Sequence, residues 1–171
     1  MKQFKTVFLA LTLMFGAMNF AQAQTSKIAH IGTQELIESM PGYKSAMSQL
    51  EKLEQTYRSE IDDLLKEAQS KNQRYQNEAP TKTDEENAAR ARELQATQEK
   101  IVQFQQTAQR ELQKKETELL RPVYEKARNA IQKVARAKGF DYVLDSTTGA
   151  GGVLLADGYN LLNDVKKELG M

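Results

Sequence analysis

From Tyr43 to Tyr75 the chain repeats a strict three-then-four spacing that only a long, narrow-faced helix can use. Positions 43, 47, 50, 54, 57, 61, 64, 68, 71 and 75 hold Tyr, Met, Leu, Glu, Tyr, Ile, Leu, Ala, Lys and Tyr. This is the period of a two-helix seam, not of the broad face that covers a globular core. The break at 77–83, Asn-Glu-Ala-Pro-Thr-Lys-Thr, ends the pattern. It resumes with Ala91, Leu94, Ile101, Ala108, Leu112 and Leu119, and Gln98, Gln105 and Lys115 interrupt it. Helix one spans about 43–78 and helix two reaches Arg121 within the arm, so at ~1.5 Å per residue each exceeds ~50 Å. Nearly equal lengths joined by a short turn imply an antiparallel hairpin.

The wider composition agrees. Charged residues make up 27 % of the 171, aromatics 7 %, Trp is absent and mean hydropathy is −0.64. Long, solvent-washed helices have such values; a thick core does not. A formal charge of +1 gives no basic field for nucleic acid. The lack of cysteine excludes disulfides, thiolate metal sites and thiol nucleophiles.

The first residues read as an export signal. Lys2 and Lys5 precede an apolar run, Val7 to Phe20, and Ala21-Gln22-Ala23 is a small-x-small cleavage site. Residues 1–23 are therefore expected to be a secretory signal peptide cut after Ala23. Its removal would take two lysines and leave a chain of net charge −1, a bacterial protein that acts outside the cytoplasm, with no segment for stable membrane insertion.

The remaining residues, 24–42 and 122–171, are expected to form a small base for the arm at 43–121. Ile28 to Ile31 reads as a strand ended by Gly32, Thr33 as the cap of a short helix over 34–39, and Pro41 as its stop. Tyr142 to Leu144 and Gly152 to Ala156 read as two more strands, and Asn160 as the cap of a last helix, 161–169. Glu54/Arg58, Asp62/Lys66, Glu67/Lys71, Glu86/Arg90 and Glu111/Lys115 each place an acid four residues before a base, worth ~0.3–0.5 kcal/mol apiece. Thr83 and Glu86 form a capping box for helix two, and Lys138-Gly139-Phe140 terminates it. At Pro122 a carbonyl, that of Glu118, loses its donor, and a denser apolar face follows: Val123, Ala127, Ala130, Ile131, Val134. Pro122 is expected to be a kink or hinge between arm and base. Three short strands and one helix make a marginal core, so assembly through the base is expected. The fold class is thus α+β, predominantly helical: a long antiparallel coiled-coil hairpin on a small β-body.

Catalytic chemistry finds no constellation. His30 is the single histidine and reads as structural, and no G-x-S-x-G turn accompanies it. Gly149-Ala150-Gly151-Gly152 is followed by no phosphate-facing helix and carries no lysine, so it reads as a turn. The acids of Thr83-Asp84-Glu85-Glu86 sit where a helix start favours them and lack Ca²⁺-loop spacing. No enzyme activity, metal or cofactor is expected. Tyr57, Ile61, Leu64, Tyr75, Ile101 and Phe104 are the arm's candidates for diffuse contact with an apolar partner; for Tyr57, Tyr75 and Phe104 packing within the hairpin is the competing and stronger reading.

With its signal peptide, Lys27-Ile28-Ala29-His30-Ile31, charged hairpin, Gly139-Phe140-Asp141-Tyr142-Val143-Leu144-Asp145 and terminal Asp164 to Leu169, the chain resembles the Skp, or OmpH-like, family of periplasmic chaperones. The resemblance implies a homotrimer whose arms project from a β-body and enclose unfolded outer-membrane proteins, without ATP and without catalytic residues. It leaves contact with lipid open. One departure is the arm's charge: 14 bases and 15 acids over 44–121, where well-known members have basic arms. The competing reading is a hairpin adaptor that docks a specific envelope partner through its tip.

Overall fold

The computed structural model describes residues 26–149 and 152–171; the expected signal peptide and its cleavage site lie outside them. In chain order these residues form β1 (Ile28–Ile31), α1 (Thr33–Ser39), α2 (Pro41–Glu78), a 3₁₀ turn (Ala79–Thr81), α3 (Asp84–Ala137), β2 (Tyr142–Asp145), β3 (Tyr159–Asn160) and α4 (Leu162–Glu168). The 38-residue α2 and 54-residue α3 are the hairpin.

The hairpin begins where its sequence dictates. Pro41 occupies the first turn of α2, where its missing amide costs nothing. Gly42 faces α3 there: a Cβ on it would stand 3.4 Å from Val123 Cγ2, in contact. At the far end, Glu86 N donates to Thr83 Oγ1 at 3.2 Å and Thr83 N donates to Glu86 Oε2 at 2.9 Å, the expected capping box. α3 stays helical through Pro122. It ends on Gly139 at φ +73°, with Gly139 N bonded to Arg136 O and Phe140 N to Ala135 O, a Schellman arrangement.

The body is a three-stranded, all-parallel sheet in the order β2-β1-β3. Register pairs Ile28 with Tyr142 and Ile31 with Asp145 on one side, and His30 with Asn160 on the other. The core lies on one face only: Ala29, Ile31, Leu36, Met40, Val123, Ala127, Val134, Leu161 and Val165 are all buried. The proximal third of α3 is the core's main cover, which explains its denser apolar face after Pro122.

Several expectations need correction here. Residues 152–156 are not a strand; Tyr159–Asn160 is, because β2 and β3 already take both edges of β1. Leu154 and Leu155 stand 102 % and 77 % exposed instead. Thr33 is the first residue of α1 and not its cap; its hydroxyl donates to Asp145 Oδ2 at 2.6 Å, so tertiary bonding displaces the local role. Asn160 does serve the last helix, accepting from Leu162 N at 2.9 Å, but that helix is shorter at both ends than 161–169.

Candidate functional site

The hairpin seam follows the expected rhythm with a shift near the base. Ala46 is buried and Leu53 half-buried, whereas Met47 and Glu54 are exposed. The small Ala46 is buried one turn after Gly42, which faces Val123 of α3. On α3 the seam runs Arg90, Leu94, Thr97, Ile101, Phe104, Ala108 and Leu112. Ala91, Gln98 and Gln105 are exposed, so the glutamines do not interrupt the seam; they lie beside it.

The six candidate contact residues all sit in this seam. Ile101 is 1 % exposed, and Tyr57, Ile61, Leu64, Tyr75 and Phe104 are half-buried. Tyr57 and Phe104 meet edge to face with centroids 6.1 Å apart. Their apolar surface holds α2 to α3.

Tyr75 belongs to a polar lock near the tip. Its hydroxyl donates to Glu93 at 2.6 Å and its ring lies 4.6 Å under the Arg90 guanidinium. Lys71 reaches the same carboxylate at 2.9 Å, and Arg90 pairs with Glu78. The Tyr75 bond first, then the Lys71 bond, holds the Glu93 carboxyl below its ordinary pKa. The Glu93 bond raises that of Lys71. Of the five acid-before-base pairs expected along the helices, Glu54–Arg58 forms, at 2.6 Å. Lys71 and Arg90 bridge the two helices instead, and Lys66 and Lys115 turn to Asp63 and Glu118. A partner across the hairpin, at a half-buried position, outcompetes one on the open helix surface.

Beyond the lock, the tip closes on itself. Asn87 Nδ2 donates to Ala79 O at 3.1 Å and Thr81 Oγ1 to Glu78 O at 2.8 Å.

The body carries the second surface of interest. Ile28, Tyr142 and Leu144 point to the sheet face opposite the core and are 52 %, 59 % and 44 % exposed. His30, on the same face, bonds Ser146 Oγ through Nδ1 at 2.9 Å and Gly158 O through Nε2 at 3.2 Å, which ties both ends of the 147–157 segment to β1. At the end of β2, burial works against the Asp145 carboxylate. Hydrogen bonds from Thr147 and Thr33 override it and bring the pKa down to about 2. Among the described residues, no group of three or more His, Cys, Asp or Glu is placed to hold a metal, and no helix is long and apolar enough to cross a membrane.

A long closed hairpin rooted in a half-covered parallel sheet is distinctive, and comparison with known proteins agrees on it. The model of the family "Outer membrane protein (OmpH-like)" matches residues 27–169. The chain belongs to the OmpH-like family. Its similar proteins include the chaperone protein Skp of Photorhabdus laumondii, 27 % identical over 149 residues, which cover 87 % of this chain and 88 % of that one. Skp of Pectobacterium atrosepticum is 23 % identical over 159 residues, 93 % of this chain and 94 % of its own. The crystal structure of an OmpH-like protein from Caulobacter crescentus CB15 superposes with a TM-score of 0.73 at 19 % identity, covering 84 % of this chain and 83 % of the other. At that identity the likeness is one of fold.

Proposed function

We propose that this OmpH-like protein is an ATP-independent holdase chaperone of the periplasm. It takes up unfolded outer-membrane proteins between the arms of a homotrimer and keeps them from aggregating. The relatives called Skp support the chaperone role. The observation that carries the assembly is the open face of the sheet. All-parallel sheets are almost always covered on both faces, yet here Ile28, Tyr142 and Leu144 stand exposed. Copies of the same body, packed face to face, would cover them and set the arms side by side. The arms then offer many weak contacts at once, and multivalency supplies affinity without a shaped pocket. Pro122, next to the Gly42–Val123 junction, is the proposed hinge at which each arm swings.

The adaptor alternative needs an unsatisfied, fixed recognition surface at the tip. The tip's own hydrogen bonds weigh against it.

The test is light scattering of the purified protein together with aggregation of a urea-diluted outer-membrane β-barrel protein, without ATP. A trimer mass and suppressed aggregation are expected. A monomer that leaves aggregation unchanged would refute the proposal.

A further inference from the structure

The two broad sides of the hairpin differ in chemistry. One side consists of the residues that follow each seam position by one; the other consists of those that precede it. On the following side, α3 shows Gln95, Gln98, Val102, Gln105, Gln109 and Gln113, all exposed and none charged. The distal half of α2 adds Leu65, Gln69, Asn72 and Gln76. Charge on this side lies toward the base, in residues 51–62 of α2 and at Glu116 of α3. On the preceding side, α2 shows Glu60, Asp63, Glu67 and Arg74, and α3 shows Glu93, Lys100 and Glu111.

The structure confirms that the uncharged residues of the two helices share one side. Leu65, Gln69 and Asn72 line a groove of about 460 Å³ with Leu94 and Gln98. Nearer the base, Met47 and Leu50 line another of about 330 Å³ with Gln109, Leu112 and Gln113, and there Glu54 and Glu116 bring charge to its rim. Met47, Leu65 and Val102, the arm's exposed large apolar side chains between residues 43 and 121, all fall on this side at 42 %, 41 % and 42 % exposure.

We infer that this glutamine-rich side is where an extended, uncharged stretch of unfolded polypeptide lies, an inference that rests on the holdase reading. The choice of occupant follows from desolvation. A chain laid on the charged side would strip water from carboxylates and ammonium groups that it cannot pair, which is costly. A chain laid on the glutamine side removes water from amides, and each amide offers both a donor and an acceptor. An unfolded backbone presents the same two groups at every residue. The exchange is therefore nearly balanced for any sequence. Burial of apolar side chains against Leu65, Val102 and Met47 then tips it toward binding. An unfolded transmembrane strand, with alternate residues apolar, suits such a track.

The experiment places the photo-crosslinking residue p-benzoylphenylalanine at Gln98, or at Ala96 on the opposite side. The probe is a urea-unfolded outer-membrane β-barrel protein, and aggregation is monitored in the same samples. Client adducts at position 98 should exceed those at 96 by about fivefold or more, as expected when one face makes the contacts. Equal yields, or adducts between two copies of the chaperone at 98, would overturn the inference. So would suppression of aggregation with no adduct at either position, and that result would leave the holdase reading standing. Failure of the unsubstituted protein to suppress aggregation would remove both. A second arm compares Gln98→Glu/Gln105→Glu with Gln103→Glu/Thr107→Glu, which adds the same charge to the other side. The first pair should weaken capture roughly tenfold by forcing an unpaired charge into the contact, and the second should leave it nearly unchanged. Equal effects would show that net charge, and not the face, governs binding.

Discussion

Ile101→Ala is the sharpest probe of how the arm is held. The side chain is 1 % exposed and lies in the seam beside the Tyr57–Phe104 pair. The substitution removes three carbons, each worth ~0.8 kcal/mol when buried. A two-helix seam is flanked by water, so the helices can close in or the void can wet, which recovers part of that loss and leaves no cavity penalty to add. The expected cost is therefore about 2 kcal/mol, or roughly a thirtyfold rise in the population of opened arms. Native-state hydrogen exchange reads this directly. Amides of α2 and α3 around the Ile101 level should exchange roughly thirtyfold faster, whereas those of β1 and β2 should keep their rates, because the sheet's core is a separate cluster that does not include Ile101. Val102→Ala, at a 42 % exposed neighbour, should change little. The reasoning fails if exchange rises equally in the sheet, which would make arm and body one cooperative unit. It also fails if Val102→Ala costs as much as Ile101→Ala.

Two further outcomes are expected. Asp145 has a folded pKa of about 2 against an ordinary 3.8, so its contribution is present above about pH 4 and disappears as pH falls toward 2. The group is largely solvent-accessible, which discounts the contribution to on the order of 1 kcal/mol. Urea unfolding of wild type and Asp145→Asn should differ by that much at neutral pH and converge in acid; a constant gap would show that charge is not the cause. Tyr75→Phe removes the hydroxyl that contributes most to lowering the Glu93 pKa, so the Glu93 titration followed by NMR should move up toward the ordinary value. An unmoved titration would mean that Lys71 alone holds the carboxylate.

The long-range plan was legible because helix period, capping and termination are local properties. The seam, the Thr83–Glu86 box and the Gly139 stop need only neighbouring residues to be read. What escaped depends on contacts between distant segments. Ala46 takes the place of Met47 in the seam where α2 meets α3 beside Gly42 and Val123, and no repeat count reveals that meeting. Gln98 and Gln105 fell in the expected seam, yet a one-residue change of phase moves them to an open side. That shift turned apparent flaws in the coil into the most uniform surface of the arm. The strand at Tyr159–Asn160 has only two residues, too few to show an alternating pattern, and it exists because β1 offers an edge there. The apolar run at 153–155 looked more strand-like and found no edge. Lys71 and Arg90 had two plausible acids each, and only the crossing of the hairpin chose between them.

The central strand pairs Ile28 with Tyr142, so the first and last thirds of the sheet's wiring are separated by the entire length of both rods. A chain that emerges from its N-terminus can zip the hairpin by short-range collisions as soon as α3 appears. It must wait for residue 160 before β1 has both of its neighbours. Loop closure over so long a span is slow unless something shortens it. The rods themselves do so, because folding back delivers Lys27 and Asp141 to within 2.9 Å of each other. The arm is thus also the scaffold on which its own root is built. Damage to the seam should delay the birth of the sheet even where the finished sheet never touches the damaged residue.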